Sequence, residues 1–214
     1  MLFRSQMYKK LLYLCLATLP FVGLFAHADT IGPSCGSCFG STYTLTDTTT
    51  ANPGVFDVFL TVNTTGFTGT STDLLNAVAL KLTSQASDLT SIQLLSAPST
   101  FTTVLSTGLN ANGCTGPSAG FFCIQSTGLG VPVASPGDIY NFSFAVTLAS
   151  GSSFLSGPGA ASVKALYVTS TGKHDGLTSE PITLTPAPVP EPSTLVLMGT
   201  GLLGLALVSR KLVG

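Results

Sequence analysis

The chain has 214 residues, 8 % of them charged, with 23 glycines, 13 prolines and no tryptophan. That charged share lies far below the ~25 % of ordinary soluble domains, and with 44 % hydrophobic residues it excludes a charge-rich disordered chain and a helical bundle or coiled coil. Eight Lys and Arg scattered along the chain make no basic footprint, so nucleic acid is excluded as a partner, and the length allows one domain or two small ones.

Residues 1–28 read as a secretory signal peptide. Arg4, Lys9 and Lys10 form a positive n-region, residues 11–25 an apolar run, and Ala26-His27-Ala28 a small-x-small cleavage site. The cut is expected between Ala28 and Asp29, with the Sec translocon and signal peptidase as partners. Cys15 lies in mid-run behind Leu14, so lipidation there is not expected.

The body, residues 29–185, reads as strand throughout. Phe56, Val58, Leu60 and Val62 alternate with Asp57, Phe59 and Thr61; Tyr140, Phe142, Phe144, Val146 and Leu148 alternate with polar or small residues. Val78, Leu80 and Leu82 alternate with Ala79, Lys81 and Thr83, although this Ala/Leu-rich patch also suits a short helix. Period two means one buried and one wetted face. Further strands are expected at 40–47, 91–96, 101–107, 120–126, 162–170 and 180–185, nine in all. Turn signals separate them at residues 52–54, 66–69, 110–116, 135–137, 157–159 and 172–176. The expectation is an all-β fold, a single β-sandwich of Ig-like or jelly-roll type.

Removing the signal peptide leaves Cys35, Cys38, Cys114 and Cys123, an even count that favours disulfides in an exported chain. Three pairings exist. Cys114–Cys123 with Cys35–Cys38 is preferred, and cross-pairing of the N-terminal pair with the mid-chain loop stays open. Eight residues between Cys114 and Cys123 are too many for a zinc knuckle. A redox role for Cys35-x-x-Cys38 wants a helix after it, whereas residues 39–43 look like a strand.

No catalytic constellation stands out. His174 is the single histidine of the body and sits beside Asp175 in an expected turn; there is no Gly-x-Ser-x-Gly elbow and no phosphate-cradling loop. The expectation is a non-enzymatic protein with no catalytic residues, no metal and no cofactor. Asp57, Asp73, Asp88 and Asp138 lie near strand ends and turns, where oxygen ligands for Ca²⁺ are often supplied, but no D-x-D-x-D-G loop exists. Between residues 29 and 190, eight carboxylates face three lysines, a mildly acidic balance that disfavours anionic partners.

At the far end, residues 186–192 form a Pro-rich linker ending in Pro190-Glu191-Pro192. Residues 193–214 read as a transmembrane helix, apolar through Ser209 and closed by Arg210 and Lys211, which should stay cytoplasmic. Pro190 and Pro192 lack backbone donors and hold φ near −65°, so the strip stays extended for a protease cleft, with Glu191 as the recognised charge.

The order Val189-Pro190-Glu191-Pro192-Ser193-Thr194-Leu195, then Gly199-Thr200-Gly201-Leu202-Leu203-Gly204-Leu205, then Arg210-Lys211 resembles the PEP-CTERM sorting tail. The resemblance implies recognition by exosortase, a membrane-embedded protease that cuts at the motif, and an association with extracellular polysaccharide and biofilm matrix. Its basic end is shorter than the family pattern. Segments 113–123 and 163–180 also resemble other exported bodies with this tail, which implies no activity. The expected product crosses the inner membrane, is anchored there transiently, and ends at the cell surface or in the matrix. The second reading is a carbohydrate-binding module for matrix polysaccharide, with Tyr43, Tyr140 and Tyr167 as stacking platforms.

Overall fold

A computed structural model describes residues 30–133 and 138–186. The expected signal peptide with its Ala28/Asp29 cut, the Pro190-Glu191-Pro192 motif, the apolar tail and Arg210-Lys211 lie outside the described residues. Among the described residues the regular structure is strand, apart from one 3₁₀ turn at Ala86–Asp88, and no helix is long and apolar enough to cross a membrane.

Two sheets carry the fold. The first takes β1 (Thr30–Ile31), β2 (Thr42–Thr49), β3 (Val55–Asn63), β11 (Ile139–Leu148) and β5 (Leu89–Ser96) in that order, and β14 (Thr185–Pro186) adds to β2. The second takes β13 (His174–Ile182), β12 (Ala161–Val168), β4 (Leu74–Lys81), β9 (Phe121–Ser126) and β6 (Phe101–Leu105), and β10 (Val131–Pro132) adds to β4. The short hairpin β7 (Gly108–Asn110) and β8 (Gly113–Gly116) stands apart.

The alternation in the sequence places the core. Val58, Leu60 and Val62 of β3 and Phe142, Phe144 and Val146 of β11 point inward, and their neighbours between stay at least partly open. Against them the second sheet sets Val78, Leu80, Phe122, Ile124, Val163 and Ala165. Two edge-to-face ring pairs bridge the layers, Phe101 with Phe142 and Phe122 with Phe144, both at 5.1 Å between centroids. Such pairs add about 0.5–1.5 kcal/mol beyond the area they bury.

β4 departs from the expected alternation: Leu75 to Leu80 are all buried. The residues that should be wetted, Ala77 and Ala79, join Leu109, Cys114, Cys123, Leu166 and Val168 in a second apolar cluster on the outer side of the second sheet. The β7–β8 hairpin supplies Leu109 and Cys114 to this cluster, and it lies where the sequence suggested only turn at 110–116. Gly113, at φ +92, lets the hairpin turn close over the Gln125 side chain.

The boundary at the end of the body also differs. β13 begins at His174, and the turn is confined to residues 169–173, where Thr169 N–H bonds Lys173 O at 2.8 Å. The expected turn at 172–176 therefore ends early, and the expected strand at 180–185 is shifted N-terminally. Gly176 lies inside the strand, where the Phe39 ring fills the space a side chain would need, with Cε2 2.6 Å from an ideal Cβ.

Both disulfides join the preferred partners. Cys35–Cys38 and Cys114–Cys123 have Cα separations of 5.3 and 5.6 Å. The expected strand at 39–43 begins only at Thr42, after Phe39 and Gly40 turn through positive φ.

Candidate functional site

The feature of the body that bears on its handling is the outer edge of β2, because the first and last described strands both pair there. β1 pairs antiparallel with its first half, Thr30 opposite Thr44 and Ile31 opposite Tyr43. β14 pairs parallel with its second half, Thr185 opposite Thr46 and Pro186 opposite Asp47. Together the two short strands cover an edge that would otherwise present unpaired backbone groups. Pro186, expected to open the linker, is therefore still part of the sheet. Inner-core members run from Cys38 to Ile182, so neither end strand carries a fully buried core side chain. β14 runs parallel to β2, so Pro186 lies toward the end of the sandwich that carries the 50–54 turn.

At that end of the sandwich lies a groove of about 610 Å³ lined by Pro53, Gly54, Phe56, Leu148, Ser152 and Phe154, among others. Phe56 and Phe154 meet edge to face at 4.8 Å. Ser152 is held by donating to Asp88 Oδ1 at 3.1 Å.

Two of the three tyrosines expected as exposed platforms are core residues instead. Tyr43 and Tyr167 are 0 % and 1 % exposed and share a hydroxyl–hydroxyl hydrogen bond between the sheets. Tyr167 donates to Ser41 Oγ, Thr178 donates to the Ser37 carbonyl, and Tyr43 and Thr178 lie 3.1 Å apart. The relay satisfies every hydroxyl, which is how polar groups are tolerated at such depth. Burial pushes both phenols above their ordinary range, Tyr43 strongly. Two large aromatic rings in strand-period positions carry the same signal whether they stack on a ligand or fill a core; only the inter-sheet pairing separates the cases. Tyr140 is partly exposed and donates to the Pro132 carbonyl.

The acids singled out for a cation are dispersed. Among the described residues no group of three His, Cys, Asp or Glu could hold a metal. Asp88 caps the 3₁₀ turn, accepting from Gln85 N–H at 3.0 Å, and Asp138 accepts from Ile139 N–H at 2.7 Å. Asp57 lies within β3 and is partly buried. Asp73 is 1 % exposed and stands apart from these three. His174 is exposed as the first residue of β13.

The outer cluster has its own polar clamp. Gln125 accepts from Cys114 N–H at 3.1 Å and donates to Asn76 Oδ1 at 2.9 Å, while Asn76 donates to the carbonyls of Gly128 and Leu129. Lys164 lays its ammonium 4.6 Å from the Phe121 ring centroid.

The body is thus an all-β, disulfide-bonded, sandwich-like unit whose two ends leave from one edge strand. Residues 188–211 match the family model described as the PEP-CTERM protein-sorting motif. The chain carries that motif, which marks an exported protein, transiently membrane-anchored through its C-terminus and targeted for exosortase processing. No curated protein matches the chain. Among solved structures, an uncharacterized protein from Nocardia farcinica with an immunoglobulin-like fold is similar at 17 % identity and a TM-score of 0.37, over 67 % of this chain and 99 % of that one. A GH20 exo-β-N-acetylglucosaminidase from Vibrio harveyi, in complex with N-acetylglucosamine, is similar at 14 % identity and a TM-score of 0.32, over 70 % of this chain and 19 % of that one.

Proposed function

We propose that the chain is a non-enzymatic surface or extracellular-matrix protein whose folded body is delivered outside the inner membrane and released or transferred by a cut at Pro190-Glu191-Pro192. The sorting-motif match at 188–211 carries this reading. The body geometry supports it: the tail leaves from a short edge strand at Pro186, so cutting a few residues later removes no buried core side chain. A linker of the six residues 187–192 reaches at most about 20 Å at ~3.3 Å per residue, which keeps the body close to the bilayer until the cut. In this reading Arg210 and Lys211 hold the cytoplasmic side and Glu191 marks the strip for the protease.

The test is cell fractionation of the wild type and a strain lacking exosortase. The mutant should accumulate a membrane-bound precursor that the wild type converts to a shorter product. Equal, uncut membrane-bound protein in both strains would overturn the reading.

A second reading, a module that binds matrix polysaccharide, loses the Tyr43 and Tyr167 platforms to the core. It keeps the Phe56/Phe154 groove, whose rings and neighbouring serine hydroxyls suit a sugar face and edge. Saturable millimolar or tighter binding in a glycan titration, lost in Phe154→Ala, would favour it over a purely structural role.

A further inference from the structure

The end of the sandwich away from the tail holds a carboxylate with an unmet demand. Asp73 ends the 64–73 loop and is 1 % exposed. Its Oδ2 accepts the Thr70 N–H at 2.6 Å, while its Oδ1 is buried with no hydrogen-bond partner. A buried, unpaired carboxylate oxygen is costly, and folded proteins meet that cost with a donor, a proton or a metal. Topology brings a second carboxylate to the same place. Val168 of β12 pairs with Leu74 on one side and with His174 on the other, and the register shifts between Tyr167 and Val168. That bulge leaves Asp175 unpaired, beside the end of β12 opposite Asp73. The two carboxyls come within hydrogen-bonding reach, and Asp175 is exposed.

The Thr70 hydroxyl also bears on the Asp73 carboxyl, and the other neighbours are engaged elsewhere. Phe67 packs on Tyr167 at 5.0 Å and Gly69 lies against the Asp73 carboxyl, while Val133 N–H is spent on the Asp73 backbone carbonyl at 3.2 Å. Tyr167 directs its hydroxyl to Ser41 and Tyr43. Lys173 and His174, the cationic neighbours of Asp175 in sequence, are exposed.

We propose that Asp73 and Asp175 together hold one hard divalent cation, Ca²⁺ by preference, across the end of β12. The donors are carboxylate oxygens without nitrogen or sulfur, which suits Ca²⁺ or Mg²⁺ over transition metals. Ca²⁺ is favoured because it accepts irregular shells completed by water, whereas Mg²⁺ demands a near-ideal octahedron. Two protein carboxylates place the affinity in the weak range of extracellular modules, about 10⁻⁴–10⁻³ M. The bound ion ties the 64–73 loop to the start of β13 over the Tyr167 end of the core. Burial, followed by the facing Asp175, lifts the Asp73 carboxyl above its ordinary range. This site is independent of the sorting reading, whose failure would show in fractionation and not in metal binding.

The test uses the full chain in detergent. Tb³⁺ emission sensitised by tyrosine, with Ca²⁺ and Mg²⁺ as competitors, reports binding, and Ca²⁺-dependent thermal unfolding reports linkage. The expected result is emission displaced by Ca²⁺ with a midpoint of about 10⁻⁴–10⁻³ M, weakened at least tenfold in Asp73→Asn and Asp175→Asn and unchanged in Asp138→Asn. Near-UV circular dichroism checks each fold; should Asp73→Asn not fold, the exposed Asp175→Asn decides alone. Emission indifferent to Asp175→Asn overturns the proposal. So does an absent Ca²⁺ response with stabilisation on acidification alone, which would assign a shared proton to the pair.

Discussion

The two sides of the second sheet are held in different ways. On the inner side, aromatic and branched side chains from both sheets interlock, including Phe122 against Phe144 and Phe101 against Phe142. On the outer side a small cluster built on Ala77, Ala79 and Leu166 is covered by the β7–β8 hairpin. So small an apolar area cannot hold the hairpin segment 108–116 against its conformational entropy of about 1–2 kcal/mol per residue. Covalent and polar fastenings take over there: Cys114–Cys123, Gln125 on Cys114 N–H, and Lys164 above Phe121. Where two sheets meet face to face, apolar packing carries most of the contact, with the buried Tyr43–Tyr167 hydroxyl pair added to it. Where one sheet meets a hairpin, cross-links are needed.

The largest expected effect breaks the inner side. Phe144→Ala should cost about 3–5 kcal/mol in a denaturant titration, by lost transfer energy and a cavity at the Phe122 contact. A cost below about 1 kcal/mol would mean that the two sheets do not rely on that ring pair. Next in size is the outer fastening. Replacing Cys114 and Cys123 by serine opens a ten-residue loop and should cost about 2–3 kcal/mol. Hydrogen exchange should then rise at 108–116 well before β11; uniform exchange across both would erase the distinction between the two sides.

A smaller loss is expected from the buried relay. Tyr167→Phe leaves the hydroxyls of Tyr43 and Ser41 short of a partner and should cost about 1–2 kcal/mol, with Ser41→Ala giving less. The smallest effect is on pH. Burial holds the Asp47 and Asp73 carboxyls above their ordinary range. The folded chain therefore binds protons more readily than the unfolded one, so stability falls as pH rises from about 4 through the raised values. In chelator, the unfolding temperature should be higher at pH 5 than at pH 7, and the difference should shrink in Asp73→Asn.

Much of this was legible from local pattern. The faces of β3 and β11 follow from period two because each strand has one partner layer, and Phe142 and Phe144 lie where the alternation puts them. β4 misleads for the opposite reason: Ala77 and Ala79 are small, and nothing near them in sequence announces the covering hairpin. The glycines at 113 and 116 read as turn, although Gly116 pairs with Gly108 across the hairpin. The sorting tail needs no fold to be recognised, since its chemistry lies in one continuous stretch. Tyr43 and Tyr167, 124 residues apart, and the Asp73–Asp175 pair belong to long-range pairing of β12 with β4 and β13, which no local window contains.

The claim that the body is cargo for its tail is tested most directly by mass spectrometry of the C-terminal peptide of the protein recovered from wild-type cells. The account predicts a new C-terminus at or beside Pro190-Glu191-Pro192, with the following apolar segment missing. A product still ending at Gly214 would contradict it.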